Sequence, residues 1–396
     1  AWNVMMAIHA KHNKQGDMAI FVLQQMQEKG ALPDNVSFVN ILSGHHLDLD
    51  TCLRKCRRIS EQVHARVLPQ GMHTHVILGN AIINMYSVFG KLHDAHLAFY
   101  DILDPSIISW TSMLQGYSRN GQSHKCLALF ERMKQEVTLP DRVTYMVILE
   151  ACVDESTMVN GKKAHACLVA MGITSNIEVG TAIMQMYGNC CALEDARKVF
   201  FDIGGKNVYS WNIMIGINVK HGQYIEAIQL FQQMQIEGVS PDKYSVVGCV
   251  SAHASLRNLL QGKILHTSFA STSMEEDIVV GTALVSLYAY SGSIECAKLA
   301  VQKLTERDIV LYNAMIAAYS QEGKDCEAHQ LFNNMYQLAF LPNKVTFLNV
   351  LDSCVGYGGL IVGKRLHVQI GNVGLESDIF LHTTLITMYG KCGDPA

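Results

Sequence analysis

The sequence predicts an all-α solenoid: about eleven helical hairpins and a truncated twelfth, in one continuous array over residues 1–396. Tyr86, Tyr187, Tyr288 and Tyr389 recur at a fixed step of 101 residues, and His64, His165, His266 and His367 keep the same step. Each 101-residue block divides into units of 35, 35 and 31 residues. Apolar residues follow helical spacing, and no segment sustains the alternation of a strand.

The units run 1–34, 35–75, 76–106, 107–141, 142–176, 177–207, 208–242, 243–277, 278–308, 309–343, 344–378 and, cut short, 379–396. Each reads as two helices. Over residues 110–117, Trp110, Met113, Leu114 and Tyr117 fall on one helical face, and Asn120-Gly121 ends that helix. A second helix over residues 123–136 places Leu127, Phe130 and Met133 together before Pro140 closes the unit. Residues 211–217 with 225–235, and 312–319 with 327–336, repeat the scheme. The first block is longer, since Trp2 to Trp110 spans 108 residues; the extra residues fall in the turn at 11–17 and around 48–58, between helices. The pattern opens at Ala1 and stops at Ala396 in mid-unit, which predicts a piece of a longer array.

Apolar residues make up 49% of the chain and charged residues 17%, as stacked helices covered on two sides require. The net charge of −4 argues against a surface that grips any polyanion, so a nucleic acid would be recognised locally. Twelve cysteines without disulfide-framework spacing predict free thiols in a reducing compartment. The uncharged run at residues 278–294 occupies the register of a unit's first helix and is too short for a membrane span of about 20 residues. Metal, cofactor and catalytic readings find no support. The periodic histidines lie three units apart, on the order of 25 Å or more. The HxxH of His93 and His96 has no completing ligand, and Cys190-Cys191 stands alone. There is no HxE with a later CxxC, as a zinc deaminase needs, and no phosphate-binding glycine loop.

Units of 35, 35 and 31 residues carrying ISWTSMLQGYSRNG, VTYMVILEACV…GKKAHA and VGTAIMQMYGNCCALEDARKVF resemble the pentatricopeptide repeat family, and the cycle of three unit types resembles its plant subclass of P, L and S motifs. The resemblance covers essentially the whole chain. It implies a right-handed superhelix that binds single-stranded RNA at roughly one base per repeat. It also implies a mitochondrial or chloroplast setting and a part in transcript processing, above all C-to-U editing, with other editing factors or a deaminase-bearing protein as partners. A deaminase often follows the last repeat in such factors. The rival reading is a tetratricopeptide-like scaffold that binds peptides, whose period is 34 residues and does not cycle among three lengths.

By the same resemblance, the fifth and last residues of each unit meet a base edge. The pairs are Asn3 with Asp34, Asn80 with Ser106, Thr111 with Asp141, Thr181 with Asn207, Asn212 with Asp242, Thr282 with Asp308 and Asn313 with Asn343, followed by Thr383 in the truncated unit. Amide–carboxylate pairs imply U, hydroxyl–carboxylate pairs G, hydroxyl–amide A, and amide–amide or amide–serine a pyrimidine. An amide offers donor and acceptor, a hydroxyl a shorter reach. Middle units carry Val39, Met146, Val247 or Leu348 at the fifth position and are expected to be spacers. At position two, Ile77, Ile108, Val143, Val279, Val310 and Val345 fit the family's apolar wedge between bases, whereas Glu178, Tyr209 and Tyr244 depart from it. Lys11, Arg119, Lys220 and Lys391 occupy the position expected to touch phosphate, while Val88, Asn189 and Gln321 bring no charge there. The competing explanation of the last-residue Asp and Asn is helix capping. The repeated His, Trp and Tyr are expected to be packing or hydrogen-bonding residues of each hairpin.

Overall fold

The computed structural model describes residues 2–12, 16–31, 33–43, 75–270, 272–304, 306–354 and 356–393. The side chain of Lys11, all of His64 and the insertion around residues 48–58 lie outside the described set. Among the described residues there are 22 α-helices, one 3-10 turn at Ser273–Glu276, and no strand. The fold is an all-α solenoid of antiparallel hairpins, divided into two compact units, residues 1–205 and 206–396.

In residues 1–205 the first helices of successive hairpins are Trp2–His12, Asn35–Ser43, Val76–Val88, Ile107–Arg119, Arg142–Ala151 and Ile177–Asn189. In residues 206–396 they are Val208–Lys220, Lys243–Ser255, Ile278–Tyr290, Ile309–Gln321, Lys344–Asp352 and Ile379–Lys391. Within each unit these helices pack side by side as one layer, and the second helices, such as Ser123–Gln135 and Asp325–Gln337, pack behind them.

The helix starts are set by capping. Asp141 Oδ1 accepts from Thr144 N at 2.8 Å, Asn207 Oδ1 from Ser210 N at 3.0 Å and Asp308 Oδ1 from Leu311 N at 2.8 Å. Each satisfies a donor that the first turn would leave unpaired. The ends are set by a left-handed residue: Gly121 at φ +69° lets Gln122 N reach back to Tyr117 O at 3.0 Å. Cys191 and Arg257 take the same conformation at φ 59° and 52° without being glycine.

The core is built from the same positions in each hairpin. Trp110 and Trp211 are each 1% exposed, and Tyr312 is buried at the matching place, so these rings pack the hairpin rather than face solvent. Phe99 meets Trp110 edge-on with centroids 4.8 Å apart. In the C-terminal unit Tyr312, Ile316, Ala328, Phe332 and Met335 join Phe347, Leu366 and Leu381 in one continuous cluster. Truncating such a ring to alanine costs about 3–5 kcal/mol.

Two periodic signals have local explanations. His165, His266 and His367 each place Nδ1 against the hydroxyl of Tyr187, Tyr288 or Tyr389, at 3.0, 2.6 and 3.0 Å. The histidine and tyrosine steps are therefore one repeated hydrogen bond between a middle unit's second helix and the next first helix. Gly161, Gly262 and Gly363 lie under Met186, Leu287 and Met388, where an added Cβ would sit 2.5, 2.6 and 2.4 Å from a side-chain atom. Any larger residue there would have to displace the side chain above it.

Candidate nucleic-acid interface

At three of the seven pairs the fifth-residue and last-residue side chains are hydrogen-bonded at the N-terminal ends of the first helices. The last residue of one unit caps the next helix, and the fifth residue of the same unit lies one turn into the neighbouring first helix. Asn212 Nδ2 donates to both carboxylate oxygens of Asp242, at 2.9 and 3.0 Å. Asn3 Nδ2 does the same to Asp34 at 3.0 and 3.1 Å. Asn313 Nδ2 donates to Asn343 Oδ1 at 3.3 Å, a single and longer bond between neutral groups.

Those bonds fix which way each amide points. Because Nδ2 is committed to the last residue, Oδ1 of Asn212 and Oδ1 of Asn313 turn away from it, and both are buried without a protein partner. Asn80 Oδ1 shares that condition. An orphaned buried acceptor costs about 1–3 kcal/mol. Asp34 is held below the usual carboxylate range: burial alone would raise it, and the Ser37 N–H and hydroxyl with the Asn3 amide outweigh that.

The threonine pairs are arranged differently. Thr111 Oγ1 donates to the Ile107 carbonyl at 2.8 Å and stands 3.0 Å from Thr144 Oγ1, which in turn lies 2.7 Å from Asp141 Oδ1. Thr282 and Thr383 donate to the carbonyls of Ile278 and Ile379, four residues back, and Thr181 to that of Glu178, three back. Thr181 is buried, Thr111 and Thr282 half-buried, and Thr383 exposed. Ser106 forms a capping box with Ser109. Capping and pairing are thus not alternatives, since Asp34 and Asp242 do both at once: Oδ1 takes the cap and shares the amide with Oδ2.

Beside each cap stands one exposed apolar side chain at position two. In residues 1–205 these are Val36, Ile77, Ile108 and Val143; in residues 206–396 they are Tyr209, Tyr244, Val279, Val310, Val345 and Phe380. Tyr209 and Tyr244 are 57% and 60% exposed, alongside 63% for Ile108, so the aromatic residues occupy the aliphatic ones' place. Glu178 is the exception, and its carboxylate pairs with Arg142.

The middle units carry another pattern that sequence reasoning missed. Lys243 reaches Asp277 at 3.0 Å and Lys344 reaches Asp378 at 2.7 Å, so the last carboxylate of the middle unit is held by a lysine instead of a fifth-position amide. That contact holds Asp378 below the usual carboxylate range. The signal was present as a basic residue opening three of the four middle units, Arg142, Lys243 and Lys344.

Arg119, Lys220 and Lys391 are exposed at the far ends of first helices. Arg119 lines a recess of about 400 Å³ with Asn84, Ser87, Val88, Gln115 and Gly116. Among the described residues no group of three His, Cys, Asp or Glu side chains is placed to hold a metal ion, and no helix is long and apolar enough to cross a membrane.

Hairpins stacked in register, with their first helices side by side in one layer, define a helical-repeat protein. The sequence pattern of the PPR repeat family matches residues 105–154, 206–254 and 307–356. The chain is 31% identical over 346 residues to the pentatricopeptide repeat-containing protein At4g18520, chloroplastic, of Arabidopsis thaliana, covering 87% of this chain and 56% of that one. It is 29% identical over 392 residues to At3g09040, mitochondrial, from the same plant, covering 98% of this chain and 37% of the relative. The chain belongs to the pentatricopeptide repeat family. It spans about half the length of the curated relatives it matches. The fold is also that of PPR10, solved in complex with an 18-nt psaJ RNA element: TM-score 0.69 at 16% identity over 98% of this chain and 56% of PPR10.

Proposed function

We propose that this array binds single-stranded RNA sequence-specifically, with the first and third units of each block reading one base apiece and the middle units reading none. The observation that carries it is the amide pinned to a last-residue side chain at Asn3, Asn212 and Asn313. At Asn212 and Asn313 such a pin pre-orients a buried acceptor, which is what discrimination between base edges needs, while at Asn3 the acceptor is taken by the Ser37 hydroxyl. The exposed position-two residues beside each pin offer surfaces on which bases stack. PPR10 and its 18-nt RNA support the same reading.

On this reading the array is a non-enzymatic recognition factor of the subclass with alternating P, L and S units. It works in a chloroplast or mitochondrion, as its relatives' names suggest. It marks a transcript site for processing, C-to-U editing foremost, by a deaminase carried elsewhere or by a recruited editing factor. Arg119, Lys220, Lys391 and Lys11 touch the phosphates.

The test is a gel-shift series with single-stranded RNA of the register U-x-C-G-x-A-U-x-G-Y-x, its scramble, and a peptide pool. The reading expects the matched RNA to win by at least tenfold. Equal affinity for matched and scrambled RNA overturns it, and capture of peptide with neither RNA bound favours a scaffold.

A further inference from the structure

Each block contains a middle unit whose fifth residue is apolar, and the structure gives that unit a different task. Its third residue is a hydroxyl every time: Ser37, Thr144, Ser245 and Thr346, all 0% exposed. Each hydroxyl lies against the side chain of the preceding unit's last residue. Ser37 Oγ is 2.8 Å from Asp34 Oδ1, Thr144 Oγ1 2.7 Å from Asp141 Oδ1, Ser245 Oγ 2.9 Å from Asp242 Oδ1, and Thr346 Oγ1 3.1 Å from Asn343 Oδ1. Two also touch the fifth residue, Ser37 at 2.7 Å from Asn3 Oδ1 and Thr144 at 3.0 Å from Thr111 Oγ1.

Among the described residues, the clasp on a carboxylate or amide is confined to this junction. After the middle units the third residue is Val179, Val280 or Leu381, which has no hydroxyl. After the short units it is Ser109, Ser210 or Leu311. Ser210 bonds the Asn207 carbonyl, whereas Ser245 reaches both the Asp242 carbonyl, at 3.0 Å, and Oδ1, and Ser109 bonds the Ser106 hydroxyl. Capping alone needs no such hydroxyl. At Asp242 the N–H groups of Tyr244 and Ser245, both at 3.0 Å, already complete the cap. What the hydroxyl adds is a further donor on Oδ1, beside the two N–H groups and the Asn212 amide that bridges Oδ1 and Oδ2, and it fixes the carboxylate plane. A side chain held by this many donors does not rotate to suit a different base.

We propose that Ser37, Thr144, Ser245 and Thr346 are positioning residues for the recognition pair of the unit before them, so that each middle unit reads no base but sets the selectivity of its predecessor. This rests on the RNA-binding reading above. The experiment compares Ser245→Ala and Ser245→Thr with the unmodified chain. The RNAs carry each of the four bases opposite Asn212 and Asp242, or opposite Thr282 and Asp308, and melting temperature is recorded in parallel.

Ser245→Ala is expected to lower the U preference at the first position about 5- to 10-fold, the net worth of one buried hydrogen bond, with the second position unchanged. Ser245→Thr is expected to restore it. A variant that melts earlier yet keeps its U preference shows a merely structural hydroxyl and overturns the proposal alone. Equal loss at both positions does the same. An unmodified chain that binds all four bases alike overturns the RNA-reading account, and the proposal with it.

Discussion

Replacing Asp242 by asparagine probes the pair most directly, because the chain supplies its own reference. In the native pair Asn212 makes two bonds to a carboxylate, at 2.9 and 3.0 Å. In the Asn313–Asn343 pair the corresponding amide makes one bond to a neutral oxygen, at 3.3 Å. Asp242→Asn converts the first arrangement into the second. The cap survives, since Asn343 Oδ1 accepts from Thr346 N at 3.1 Å and asparagine caps as well as aspartate. Folding stability should therefore change by under about 0.5 kcal/mol. Recognition should not survive unchanged. A charge-assisted bond is roughly twice as strong as a neutral one, and the new amide offers a donor where only acceptors stood. Uracil presents an N–H between two carbonyls, and cytosine an acceptor beside an amino group. The preference for U over C should fall by about 1–2 kcal/mol, or roughly 5- to 30-fold in the ratio of dissociation constants. Fluorescence anisotropy with two RNAs differing at that one base measures the ratio. If the two affinities drop together, or the ratio does not move, Asp242 is a cap and not a reader.

The other predictions concern the frame, its acid sensitivity and the role of charge. Gly262→Ala should cost about 1–3 kcal/mol in denaturant melts, because its Cβ would lie 2.6 Å from a Leu287 methyl. Gly216→Ala, with nothing within 4 Å, should instead gain about 0.5–1 kcal/mol, and the reverse order would refute the packing argument. Glu275 accepts from Lys303 and from His266, and these bonds hold its carboxyl below the ordinary range despite burial. A depressed carboxylate stabilises above its unfolded pKa of about 4.3 and loses that contribution as pH falls through the lowered value, so Glu275→Gln should flatten the acid limb of a stability-versus-pH curve. RNA affinity should fall only about 20- to 50-fold between 50 and 200 mM salt, as roughly three to four phosphate contacts imply, and a slope near that of a basic groove would refute local recognition.

Most of the frame was legible because repetition multiplies weak signals. A single Asp before an apolar run is an ambiguous cap, but Asp141, Asp242 and Asn343 at matching places fix where helices begin. The buried Trp110 and Trp211 follow from the same logic. Side-chain direction was less legible. Nothing in the sequence says that Thr282 turns its hydroxyl back to Ile278 O, or that Tyr209 and Tyr244 stand as exposed as Ile108. Their departure from the aliphatic pattern reads as a misfit only until the backbone places them in the same row. The hydroxyls at Ser37, Thr144, Ser245 and Thr346 were visible as a recurring residue type, yet their partner lies across a unit boundary and had to be seen. The Lys243–Asp277 and Lys344–Asp378 ties were hidden likewise, each joining the two ends of one unit.

The central claim, that pairs in the first and third units read bases and the middle units do not, yields to one measurement. A matched RNA is changed one base at a time along its length and the affinity of each version is recorded. The account predicts a profile that dips at two positions in every three, with no change where the base faces a unit carrying Met146, Val247 or Leu348. A flat profile, or one that dips opposite those three units, would contradict it.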